Sequence, residues 1–307
     1  METSLSVLFT PERTYFALLE KTNIGLKLHK IGTSSSPIDL ENLDNPINKD
    51  SLAEHYELFH EFSDCNSMAV TIPMEYVILT QFPGRPNITK DEIMSVINIE
   101  IRQNLPQFNP DEFPTYLFEL VPRGGHSHFL AAIIPKQIFQ SIKIIATKIN
   151  KIVDIIEISQ ISSHNSLLYN YPEEKENVVA LFNISDKFID FSVFKNKDFY
   201  FYNLLKYNSL NDTPEIINNG ITKIQTELQL QINSIFLFGS QLNRSTLDIL
   251  KSRYGERFLS IKRLNPFRLV SNELSEVDKQ ICARIAHHFV PCVGSVIPEI
   301  HKKIKIY

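Results

Sequence analysis

The side chains in this sequence that could do chemistry are two histidine pairs, three cysteines, one serine–histidine neighbour pair and a basic C-terminal run. His126 and His128 lie beside a predicted hairpin turn, and His287 and His288 are adjacent in a predicted helix. Histidine is the usual zinc ligand and the residue that moves protons near neutral pH. Neither pair has a cysteine or acid at ligand spacing, so both read as surface or packing residues. Cys292 has no activating neighbour in sequence and reads as a buried, inert thiol. Ser163-His164 lacks the glycines of a nucleophile elbow, which argues against serine hydrolysis. His301-Lys302-Lys303-Ile304-Lys305 carries charge that acidic lipid attracts, but reads as a solvated tail.

The elements that must position any site are most legible in 178–202. Residues 178–182 are continuously apolar, as in a strand buried on both faces. Asn183, Ser185, Asp186 and Lys187 supply turn chemistry. Ile189, Phe191 and Val193 then alternate with Asp190 and Ser192, and a third aromatic strand begins at Phe199. The N-terminus follows the same plan: strand 5–9, turn Thr10-Pro11-Glu12-Arg13, strand 15–19, turn 21–25, strand 26–31. Two such meanders about 170 residues apart predict a duplicated architecture.

Between them, 32–50 reads as an irregular connection and 51–61 as a short helix. Residues 67–158 read as strand–strand–helix–strand–strand–helix–strand, an inserted α+β subdomain. Thr89 and Glu92 stand at capping-box spacing, and Ile93, Val96, Ile97, Ile101 and Leu105 form the stripe of the helix they open, which Pro106 ends. Gly124-Gly125 is the turn of the following hairpin. Ile138, Ile142, Ile145 and Ile149 mark the inner face of the next helix. Beyond the second meander come a helix from Thr213-Pro214-Glu215, a buried strand 235–238, a helix 245–254, a strand 258–261 and a terminal helix 277–297 that Pro291 should kink or end.

This arrangement resembles the actin-like (ribonuclease-H-like) ATPase fold, and in particular the PilM-like proteins of type IV pilus assembly. The family's first Asp-Ile-Gly phosphate loop falls on Phe9-Thr10-Pro11 and runs through Phe16, and its second falls on Asn183-Ile184-Ser185. Its adenosine loop falls on the strand 235–238 and Gly239-Ser240. Within the insert, the family's acidic helix ending in Leu/Ile-Pro falls on Glu100 to Pro106, followed by Asp111-Glu112. Gly294 stands in for a closing Ala-x-Gly element. The resemblance implies a duplicated α/β fold with halves 1–66 plus 159–171 and 172–307, and an insert 67–158.

It also implies where a nucleotide would bind: Thr10, Glu12, Asn183, Ser185, Gly239 and Ser240. Phe9 and Phe16 put apolar side chains, and Pro11 a residue without an N–H, where the family has an aspartate, a lysine and a glycine. Asn183 and Ser185 replace the second aspartate and glycine. Glycine is scarce, nine of 307 residues or about 3% against a usual ~7%, although phosphate loops depend on it. Glu12, Asp186 or Asp190 are the candidates to replace the lost metal ligands. The expectation is no cofactor and no catalysis, with ATP and Mg²⁺ disfavoured. By resemblance the protein is expected to be a scaffold that binds a short cytoplasmic peptide of an inner-membrane pilus or secretion protein. Tyr76, Ile78, Phe82, Arg102 and Phe108 are the candidate contacts. The alternatives are an ATP-binding actin-like protein with non-standard ligands and, less favoured, a sugar or acyl kinase of the same superfamily.

Composition fits this reading. A net charge of −4 gives no electrostatic case for nucleic acid. Cys65, Cys282 and Cys292, odd in number and widely spaced, point to a reducing compartment. With neither a signal peptide nor an apolar run of about 18 residues, the expectation is a cytoplasmic protein that reaches the inner membrane only through a partner.

Overall fold

The computed structural model of the chain describes residues 2–62, 65–84, 89–104, 106, 108–255, 260–298 and 303–305. The first meander is β1 (Glu2–Phe9), β2 (Thr14–Thr22) and β3 (Gly25–Thr33), paired antiparallel. Leu5, Val7, Phe9 and Phe16 face one core, whereas Leu8, Tyr15, Ala17 and Leu19 face another. A sheet covered on both sides has strands that read as near-continuous apolar runs. Helix α1 (Ile47–His60) carries the chain across to β4 (Ser67–Ile72), which pairs parallel to β1.

Strand β5 (Ile78–Gly84), helix α2 (Lys90–Asn104), β6 (Thr115–Arg123) and β7 (His126–Ile133) follow. The expected capping box of α2 forms, with Thr89 N–H donating to Glu92 Oε2 at 2.9 Å and Glu92 N–H to Thr89 Oγ1 at 3.3 Å. Gly124 and Gly125 turn the β6–β7 hairpin at φ of +57° and +80°, angles that suit the primed hairpin turn. Helix α3 (Lys136–Lys148) buries Ile138, Ile142 and Ile145 and returns the chain to β8 (Ile152–Ile158), parallel to β4.

After α4 (Ser159–Asn170) the plan repeats. The second meander is β9 (Val178–Ile184), β10 (Phe188–Lys195) and β11 (Asp198–Lys206). Then come α5 (Thr213–Thr226), β12 (Ser234–Phe238), α6 (Arg244–Tyr254) and β13 (Ser260–Arg263). The first sheet runs β3-β2-β1-β4-β8 and the second β11-β10-β9-β12-β13. In each, three antiparallel strands are followed by two parallel ones. The duplication is therefore one of topology as well as of meander.

The expected boundaries at 67 and 158 cut through the first sheet, because β4 and β8 are members of it. Only β5, α2, β6 and β7 stand apart, as a separate sheet with its own core against α2. The expected second half also gives up its end. Strand β14 (Ser271–Asn272) pairs with β3, and α7 (Glu276–Ile285) is followed by a single 3₁₀ turn and α8 (Val290–Ser295), whose Cys292 and Val293 pack on the first sheet. The single terminal helix expected over 277–297 is thus broken, with Pro291 in the first turn of α8, where it loses no hydrogen bond. Strand β15 (Lys303–Lys305) pairs antiparallel with β6, so the backbone of these residues is held in a sheet where a free tail was expected. Leu105, His301 and Lys302 lie outside the described residues.

Candidate functional site

The parallel strands β1 and β4 of one half and β9 and β12 of the other end around a common cleft. Outside the carboxyl ends of such strands is where α/β folds bind ligands. All six residues expected to meet a nucleotide, Thr10, Glu12, Asn183, Ser185, Gly239 and Ser240, line it, together with Tyr15, Glu75, Asp186 and His288.

Most of these side chains are already engaged. Thr10 Oγ1 donates to Arg13 C=O at 2.6 Å and accepts from Arg13 N–H at 3.2 Å, so its hydroxyl closes the β1–β2 turn. The Glu12 carboxylate crosses the cleft and accepts from Ser240 Oγ at 3.1 Å and Gln241 Nε2 at 2.7 Å. Tyr15 Oη lies 2.9 Å from His288 Nδ1 with the rings edge-to-face, and burial pushes the Tyr15 hydroxyl up to about 12. Burial drives the His288 imidazole down to about 4, with Arg13 and Arg263 adding to the effect, so it is neutral at physiological pH. The cavity left between the halves is about 40 Å³, against ~300–1,000 Å³ for a usual small-molecule site.

Gly239 is accounted for by packing. At φ +109°, a Cβ there would stand 2.4 Å from Ile184 C=O and 2.5 Å from Asn183 Oδ1. The ends of β9 and β12 approach too closely for any side chain. Asn183 Nδ2 donates to Asp190 Oδ1 at 2.8 Å. Asp190 is fully buried and is not part of the cleft wall, and burial raises its carboxyl to about 8 with Glu75 adding and Asn183 opposing. It is therefore in the wrong place and the wrong protonation state to replace a metal ligand. Glu12 takes both cross-cleft bonds on Oε1, and of the three proposed acids only Asp186 is exposed at the rim.

Two expectations about the first loop need correction. Phe9 and Phe16 belong to the core beneath the sheet and do not face the cleft. Leu8 and Tyr15, one residue away on each strand, face it instead. A shift of one residue along a strand exchanges the faces.

The expected partner contacts do not converge on one surface. Phe82 and Phe108 are buried in the core under α2, so neither offers surface to a partner. Ile78 is half-buried against that same core, Tyr76 is half-buried against the core of the first half, and Arg102 is exposed on α2. An apolar groove of about 20 Å³ does lie between the insert and the first half. It is lined by Tyr116, Phe118 and Ala132 of the insert hairpin, by Ile134, and by Phe139, Ile156, Glu157 and Ile158 of α3 and β8, so one acidic residue interrupts its apolar wall. Sequence reasoning missed these residues. Both groove walls read as ordinary buried strand or helix faces, and only the docking of two elements makes a groove of them.

No family model and no curated protein matches the chain. Solved structures do. The chain is similar to a chain of the PilM-PilN type IV pilus biogenesis complex, with a TM-score of 0.67 at 13% identity over 97% of this chain and 99% of the other. It is also similar to a protein from Bacteroides thetaiotaomicron with an actin-like ATPase fold and unknown function, with a TM-score of 0.52 at 13% identity over 91% and 94%. The chain has the actin-like ATPase fold. No helix among the described residues is long and apolar enough to cross a membrane.

Proposed function

We propose that this protein is a non-catalytic actin-fold scaffold of a pilus or related secretion machinery, recruited to the inner membrane from the cytoplasm by a short peptide of a membrane partner. The observation that carries the reading is Glu12: its carboxylate bridges the two halves through Ser240 and Gln241 at the place where a nucleotide's phosphates would lie. A carboxylate fixed there repels phosphate, and the small cavity behind it leaves no room for an adenosine. The likeness in fold to the PilM-PilN complex supports the assembly role. The apolar groove between the insert and the first half is the surface we assign to the peptide.

Calorimetry with ATP and Mg²⁺ tests the first claim. We expect no hydrolysis and a Kd no better than about 1 mM, roughly −4 kcal/mol. Micromolar binding would overturn it and favour an ATP-binding protein with non-standard ligands. For the second, Phe139→Ala and Tyr116→Ala should each weaken capture of an N-terminal cytoplasmic peptide of the membrane partner by about 1–3 kcal/mol. Undiminished capture by folded variants would remove the groove assignment.

A further inference from the structure

The cleft between the halves is lined by three carboxylates, those of Glu12, Glu75 and Asp186, and by no lysine or arginine. The three acids come from separate turns, after β1, β4 and β9. We propose that the cleft binds a primary alkylammonium, either the end of a partner's lysine side chain or a free diamine. The inference rests on the reading that no nucleotide binds there, and it names the opposite charge as the occupant.

A buried hydroxyl points to a ligand independently of the acids. Ser159 opens α4 and lines the cleft at 3% exposure, yet its Oγ has no hydrogen-bond partner among the described residues. A hydroxyl left unpaired in so dry a wall costs free energy that a donor entering the cleft restores. Glu12 also keeps an acceptor open. Its Oε1 takes the bonds from Ser240 and Gln241, and its Oε2 takes none among the described residues. The surroundings do not neutralise these groups. Burial holds the Glu75 carboxyl above the usual carboxylate range, with Glu12 adding to the rise and its own backbone N–H, Ser185 and Lys187 opposing it. Arg13 and Arg263 act on His288 and Lys187 on Glu75, but none of the three lines the cleft, and His288 is itself neutral.

Geometry selects the kind of cation. Among the described residues no three His, Cys, Asp or Glu side chains stand close enough to share a metal ion. An ammonium instead carries three N–H donors on one compact atom and can reach separated acceptors. A guanidinium is planar and broader. The cavity of about 40 Å³ has room for an ammonium and the first methylenes behind it, since one water needs ~10–15 Å³ on the same measure. Leu8, Met74 and Phe238 offer those methylenes an apolar wall.

Calorimetry of the full chain tests this with cadaverine and with end-blocked glycyl-lysyl-glycine, whose norleucine counterpart lacks only the charge. The lysyl peptide should bind about tenfold or more tightly than the norleucine one, and Glu12→Gln and Glu75→Gln should each weaken amine binding about tenfold. Ser159→Ala should weaken it about fivefold. Asp186→Asn lies on the exposed rim, where the fold tolerates change, and should weaken it about threefold. Tighter binding of the lysyl peptide than of cadaverine assigns the site to a partner's lysine, and the reverse order assigns it to a free diamine. Equal binding of the lysyl and norleucine peptides, or amine affinity unchanged in both Glu75→Gln and Asp186→Asn, would overturn the proposal. If neither amine nor ATP binds, this inference fails and the scaffold reading stands. Amine binding that falls in Glu75→Gln, together with micromolar ATP binding, would keep the cation site and sink the scaffold reading.

Discussion

Asp190 shows what a single buried group does to this molecule. Its Oδ1 accepts from Asn183, its Oδ2 has no partner among the described residues, and burial holds the carboxyl protonated up to about 8. Glu75 and Tyr202 are the titratable groups that interact with it, and Glu75 raises it further. Unfolded, the same carboxyl ionises near 3.9. Between those values the folded state holds a proton that the unfolded state has released, so stability must fall as pH rises from about 4 to about 8. Asp190→Asn keeps the acceptor for Asn183 and removes the titration. We expect urea denaturation to give near-equal stabilities at pH 4 and a gain of about 1–3 kcal/mol for the variant at pH 8. Parallel stability curves across that range would show that Asp190 is ionised in the fold. In the sequence, Asp190 looked like one more acid beside a turn. Strand parity put Asp190 with Ser192 on the polar face of β10, opposite Ile189, Phe191 and Val193; that this second face is buried too was not legible. Likewise the six cleft residues were placed by the resemblance of their three loops to the family's, whereas Tyr15, Glu75 and His288 join the cleft only through tertiary packing and leave no local signal.

At the scale of elements, α4 and α8 fill the space between the two sheets. Their contact depends on small residues: Ser159, Ser162, Ser163 and Ser166 are buried along α4, and a Cβ on Gly294 of α8 would stand 1.6 Å from Ser162 C=O. Backbones this close have no side chain to yield, so Gly294→Ala must push the helices apart. Ser6 Oγ also donates to Cys292 C=O at 2.6 Å, tying α8 to β1, so α8 cannot slide away without losing that bond. We expect a loss on the order of 1–3 kcal/mol and a lower Tm. An unchanged Tm would mean that the helices separate freely. The strands and helices themselves were largely legible, because period and capping residues are local properties. What escaped was membership. The strands at 67–72 and 152–158 read as part of an insert, since periodicity marks a strand without saying which sheet it joins. Gly294 was legible as a residue that matters, but its partner Ser162, 132 positions earlier, was not.

For the molecule as a whole, the question is what fixes the angle between the halves. Two tethers lie on different sides of the α4–α8 pair. At the cleft, Glu12 bonds Ser240 and Gln241. At the insert, Gln81 Nε2 donates to Tyr202 C=O at 2.7 Å and Tyr202 N–H donates back to Gln81 Oε1 at 3.3 Å, so the side chain mimics a paired strand on the free edge of β11. Arg123 adds to this second tether by lying over the rings of Tyr200 and Phe201, 5.3 and 5.7 Å from their centroids. Each tether consists of a few part-exposed polar contacts, worth about 1 kcal/mol or less apiece, so either one alone should be dispensable for folding. Removing both should leave the helix pair as a hinge. Spin labels at Ile24→Cys in the first half and Lys251→Cys in the second sit on exposed positions, and the three native cysteines are buried. Pulsed dipolar spectroscopy should give one narrow distance distribution for the labelled parent and for Glu12→Ala or Gln81→Ala alone, and a broad one for the double variant. A distribution that stays narrow in the double variant would mean that α4 and α8 set the angle unaided and that the insert does not brace the second half.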